Sequence, residues 1–89
     1  MAKNQRTPAS VQIGQVLREL RKRDELTMHE MAAKLEVSQQ CVSAWEHGDR
    51  APRIEDIPTI ARAVGQTPLW LARKMLDRLA GKTTSPLDT

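Results

Sequence analysis

The chain has 89 residues, 14 of them Lys or Arg against 11 Asp or Glu, for a net charge of +3 and a hydrophobic share of 39%. That is room for one small domain, and the apolar share excludes a wholly disordered chain. A single cysteine, Cys41, excludes an intrachain disulfide, and the lack of Tyr and Phe, with Trp45 and Trp70 as the two aromatics, argues against a strand-rich fold.

Residues 1–10 carry Lys3 and Arg6 but no periodicity, and read as a flexible basic arm or an ordinary loose terminus. Helical spacing begins at Val11, where Ile13, Val16, Leu17 and Leu20 form one apolar stripe and Arg18, Arg21, Lys22 and Arg23 fill the other side. After a break at Asp24–Leu26, Thr27 and Glu30 have the spacing of a capping box, in which each side chain serves the other's backbone amide. Met31, Ala32 and Leu35 would be the buried face of that second helix. Ser38 is a good N-cap for a third, with Val42 and Trp45 turned inward and Gly48 as a left-handed C-terminal cap. A fourth helix carries Ile57, Ile60, Ala61 and Val64, with Asp56 as N-cap and Pro58 tolerated in the first turn. Thr67-Pro68 opens a fifth helix that runs to about Ala80, and Gly81 stops it. The domain therefore spans 11–81, followed by a polar, disordered tail at 82–89.

Two short helices joined by a three-residue turn between Thr27 and Glu46 have the spacing of a helix-turn-helix. With Val42 and Trp45 inward, the free face of the third helix holds Gln39, Gln40, Ser43, Ala44 and His47. Glutamine can pair with both N6 and N7 of adenine in a DNA major groove, and small residues leave room for a thymine methyl. An ordinary solvated helix start would carry the same two glutamines. The flanks favour the first reading: the helix starts at Thr27 and Ser38 can offer amides to phosphate, and Arg50 and Arg53 lie where a DNA backbone would pass, with His47 beside them.

The stretches IGQVLRELR (13–21), LTMHEMAAKLEVS (26–38), QQCVSAWEHGDRAP (39–52) and IARAVG (60–65) together resemble the phage Cro and repressor (XRE-like) family of helix-turn-helix proteins. The resemblance implies an all-α, five-helix, lambda-repressor-like domain and a DNA-binding transcriptional regulator, such as a repressor. It implies that Gln39, Gln40, Ser43 and Ala44 face bases, and that Arg21 pairs with Glu46 to tie the first helix to the third. Two positions depart from the family pattern. The turn holds Glu36 where glycine is usual, a strain of roughly 1 kcal/mol. Met28 stands where a polar backbone-contacting residue is usual, leaving that contact to His29 or to a backbone amide.

Helix five carries more apolar surface than one inward face needs. Leu69, Trp70, Leu76 and Leu79 are the candidates for a second face covered by another copy, in a homodimer on a pseudo-palindromic double-stranded DNA operator. An overbuilt monomer core, with Leu71 and Met75 partly exposed, is the alternative. A module of the same fold that grips a different protein, as an antitoxin or adaptor does, is a further one. Enzyme readings lack parts: His29 and His47 have no second ligand at metal spacing, Cys41 has no base beside it, and no glycine-rich phosphate loop occurs. No metal or cofactor is expected. No apolar run reaches the ~20 residues of a membrane span and no leader pattern is present, so the expected setting is the cytoplasm.

Overall fold

The computed structural model describes residues 6–81, so the predicted arm before Arg6 and the predicted tail at 82–89 lie outside the described residues. It holds α1 (Pro8–Arg23), α2 (Met28–Leu35), α3 (Gln39–His47), α4 (Ile57–Ala63) and α5 (Pro68–Leu79), with a 3-10 turn at Ile54–Asp56 and no strand among the described residues.

The first helix begins at Pro8 rather than Val11, which takes Pro8, Ala9 and Ser10 out of the expected arm. Thr7 is the N-cap: its hydroxyl accepts the Ser10 amide at 3.0 Å, and Ser10 Oγ accepts the Thr7 amide at 2.8 Å. Pro8 follows at the first helical position, where its fixed φ suits the helix and its missing N–H is no loss. Thr67-Pro68 uses the same start for α5, Thr67 accepting the Trp70 amide at 3.1 Å. The Thr27–Glu30 box caps α2 through bonds of 3.0 and 2.8 Å. Asp56 stands at the N-cap position of α4 as expected, but makes no side-chain cap to that helix; its carboxylate instead accepts the Arg53 amide at the start of the 3-10 turn, at 2.8 Å.

Two turns use left-handed residues other than glycine. Glu36 has φ 59°, which lets α2 reverse into α3 within three residues, and Glu25 takes the same φ at the end of α1. Each conformation is strained for a side chain, and each is held by paired backbone amides. Val37 donates to Ala32 at 3.1 Å beyond Glu36, and Leu26 donates to Arg21 at 3.0 Å beyond Glu25.

The core joins Val16, Leu17 and Leu20 of α1 to Met31, Ala32 and Leu35 of α2, Val42 and Trp45 of α3, Ile60, Ala61 and Val64 around α4, and Leu71 and Met75 of α5. Fully buried side chains such as Leu20, Ile60 and Leu71 contribute roughly 1.5–3 kcal/mol each relative to exposure. Met28, half-buried, packs against this cluster too. Arg23 donates to the Val64 carbonyl at 3.0 Å and its guanidinium lies 6.0 Å from the Trp70 ring centre, so it closes the end of α4 rather than facing outward with Arg18. Arg78 reaches Glu19 at 2.8 Å and fastens α5 to α1.

Candidate functional site

The third helix is held from three sides. Val42 and Trp45 sit in the core, and α1 presses on its back at Gly14. A Cβ on Gly14 would overlap the carbonyl oxygen of Trp45 and lie 2.8 Å from that of Glu46, so glycine is what lets the two backbones meet. Beside this contact Arg21 donates from Nε to Glu46 Oε2 at 2.6 Å and from Nη2 to Oε1 at 3.0 Å, with Nη1 bonding the Leu26 carbonyl at 2.7 Å. Hydrogen bonding to Glu46 raises the Arg21 pKa above the ordinary arginine value, against an opposing push from burial. The Glu46 side chain is 3% exposed, so this pair is a buried one whose partners depend on each other.

The end of α3 is anchored as firmly. Ser10 Oγ bonds the Gly48 carbonyl at 2.7 Å, and the Ala44 carbonyl accepts the Asp49 and Arg50 amides at 2.9 and 3.3 Å. Arg6 pairs with Asp49 at 2.9 Å. Ser10 and Gly14 are sites that the sequence reading passed over. Both had a signal: the Thr7-Pro8-x-Ser10 start, and a glycine inside an apolar helical stripe with no turn to explain it.

The opposite face of α3 is open. Gln39, Gln40 and His47 are exposed, and Ser43 and Ala44 are half-exposed among them. His47 Nδ1 lies 2.7 Å from the Ser43 carbonyl oxygen and 3.2 Å from Ser43 Oγ. Cys41 is half-buried at the edge of this face, and burial pushes its thiol pKa up, with Arg50 pulling against that and Asp56 adding to it.

The two helix starts differ as anion sites. Ser38 Oγ caps α3 by accepting the Cys41 amide at 3.0 Å, and no acidic residue lies in the first turn. At α2 the Thr27 amide already donates to the Glu30 carboxylate, so a negative charge occupies that end. Arg50 is exposed, whereas Arg53 sits 3.6 Å from Glu55 and is partly offset by it.

On α5, Leu71 and Met75 are buried, while Leu69 and Leu76 are 78% and 63% exposed and Leu79 is exposed at the end of the same stripe. Trp70 does not share that stripe. It is half-buried against the core, with Arg23 and Lys74 over its ring and its Nε1 shielded from solvent. Its expected place in an outward face is corrected accordingly. Ile54, 86% exposed on the 3-10 turn, adds a further bare apolar group.

Residues 17–71 match the family model described as Helix-turn-helix. Among solved structures, the restriction-modification controller protein C.AhdI from Aeromonas hydrophila is 29% identical, with a TM-score of 0.68 over 73% of this chain and 98% of its own. The clp gene regulator ClgR from C. glutamicum is 23% identical, with a TM-score of 0.71 over 94% of this chain and 100% of its own. The controller protein C.Esp1396I, solved bound to a 25 base pair operator site, is 14% identical, with a TM-score of 0.71 over 83% of this chain and 97% of its own. No curated protein sequence matches the chain.

Proposed function

The chain belongs to the helix-turn-helix family and is a DNA-binding transcriptional regulator, and we propose that it acts as a homodimer whose α3 reads an operator in the major groove. The observation that carries this reading is the two-sided character of α3. Its inner side is fixed by Trp45, by Gly14 and by the Arg21–Glu46 pair, and its outer side presents Gln39 and Gln40 exposed with Ser43 and Ala44 half-exposed beside them. A rigidly seated helix with an unsatisfied polar face suits base-edge readout, where hydrogen-bond partners must be met in fixed positions.

Ser38 at the start of α3, with His47 at its end and Arg50 just beyond it, supplies the phosphate contacts that set register. Arg53 adds positive charge diminished by Glu55, and Thr27 contributes less because Glu30 holds its amide. The stripe Leu69, Leu76 and Leu79 supports the homodimer, with half-sites about one DNA turn, ~34 Å, apart. C.Esp1396I, which shares this fold, was solved as a tetramer in complex with its natural 35 base-pair operator. The same stripe would serve a different protein partner if α5 rather than α3 were the working surface. Among the described residues no helix is long and apolar enough to cross a membrane, and a cytoplasmic location goes with this function.

The test is a titration of the protein against the DNA upstream of its own gene and against a scrambled fragment, at two salt concentrations. Specific binding should exceed non-specific by about a thousand-fold or more, with steep salt dependence. Equal weak binding to both fragments, alongside capture of a second protein through α5, would move the function to the protein-binding reading.

A further inference from the structure

The contact between His47 and Ser43 determines how one candidate base-reading side chain presents its proton. His47 Nδ1 stands 2.7 Å from the backbone carbonyl oxygen of Ser43. A carbonyl only accepts, so Nδ1 must carry hydrogen, whether the imidazole is neutral or charged. That N–H also faces Ser43 Oγ at 3.2 Å, as the weaker arm of a shared bond. Ser43 Oγ is therefore an acceptor toward His47, and its own proton cannot point that way. Among the described residues no other group of the chain takes that proton. Accepting a hydrogen bond also polarises a hydroxyl and strengthens it as a donor.

We propose that His47 is a positioning residue for specificity, turning the Ser43 hydroxyl proton into the groove so that Ser43 reads a base acceptor. The matching edges are guanine O6 or N7, adenine N7 and thymine O4; the cytosine edge, which offers only the N4 amino donor, is the disfavoured one. This rests on the DNA-reading assignment of α3 and adds to it the polarity of one contact and a residue that sets it. His47 Nε2 stays free for a phosphate, and that second role predicts a different signature.

The experiment is site selection from a random duplex library by the wild type, Ser43→Ala, His47→Ala and Gln39→Ala, followed by affinity measurements on single-base variants of the selected site. The wild type should enrich one site, and Ser43→Ala should lose its preference at one base pair per half-site. There the wild type should favour an acceptor edge and bind the cytosine variant about ten-fold more weakly. His47→Ala, whose exposed side chain lies outside the core, should shrink that ratio at the same base pair to about two-fold. A His47→Ala profile that keeps the full ratio while all sites weaken alike would overturn the positioning role and leave a phosphate contact. A wild-type preference for cytosine at the Ser43 position would overturn the donor assignment. If Ser43→Ala relaxes no position while Gln39→Ala does, Ser43 is not a reader although α3 is. If the wild type enriches no sequence, the DNA-reading assignment itself falls and takes this proposal with it.

Discussion

Arg21 of α1 holds Glu46 of α3 by two hydrogen bonds of 2.6 and 3.0 Å, with both side chains almost wholly out of solvent. Removing one partner strands the other charge in a poorly hydrated place, a loss of about 3–5 kcal/mol for a buried pair. Glu46→Ala should therefore lower unfolding free energy by several kcal/mol in urea titration. Replacing both residues with apolar side chains of similar volume should recover most of it. A loss under 1 kcal/mol in the single variant would mean that the pair is solvated and does not seat α3.

Gly14→Ala sets two effects against each other. Alanine in an exposed helix interior is worth about 1 kcal/mol over glycine. Here the added methyl meets the carbonyl oxygens of Trp45 and Glu46, which are backbone and cannot rotate aside. Overpacking of this kind costs about 1–3 kcal/mol, so the contact wins and the variant should be less stable. DNA affinity should fall as well, since α1 would push α3 off its seat. A more stable Gly14→Ala protein would show that the helices stand further apart.

Much of this architecture was legible in the sequence, and the reasons are local. The Thr27–Glu30 box, Ser38, Gly48 and Thr67-Pro68 are each short-range punctuation that acts through a neighbour three residues away or by a fixed φ. The Thr7 cap obeys the same grammar but stood next to a stretch without periodicity. What stayed hidden was long-range. Ser10 finds Gly48, Arg23 finds Val64, and Arg78 finds Glu19 only once the helices have packed. Periodicity put the whole charge run at the end of α1 outward, and the family resemblance alone set Arg21 against Glu46; Arg23, with no such signal, turns in as well. Trp70 looked like part of a second face because apolar content says nothing about angle. Leu69 and Leu76, seven apart, lie on one line along α5, and Trp70 stands about a quarter turn away from it.

The outward line on α5 predicts self-association. Leu69→Glu with Leu76→Glu should leave the monomer folded, because both side chains are already exposed. It should raise the dimer dissociation constant by at least about ten-fold in sedimentation equilibrium, as truncation of interface anchors does. Operator binding should weaken in step with the lost dimer. Unchanged sedimentation would remove this stripe from the interface.

Cys41 should react slowly. Attack by a thiol proceeds through its thiolate, and burial raises the Cys41 pKa. At neutral pH the folded protein should be alkylated by iodoacetamide more slowly than the same protein in urea, and the rate should still be rising at pH values where an ordinary thiol has levelled off. Equal rates folded and unfolded would show an open, unperturbed thiol.

Gln39 and Gln40 carry the central assignment. The most direct measurement compares wild type with the Gln39→Ala, Gln40→Ala double variant on the operator and on a scrambled duplex, at low and physiological salt. Both side chains are exposed, so the fold should be unaffected. Operator affinity should drop toward that of the scrambled duplex, by about a hundred-fold or more if each glutamine pairs with its base, while affinity for the scrambled duplex and its salt dependence stay as they were. Full operator affinity in the double variant would contradict the assignment of α3 as the reading helix.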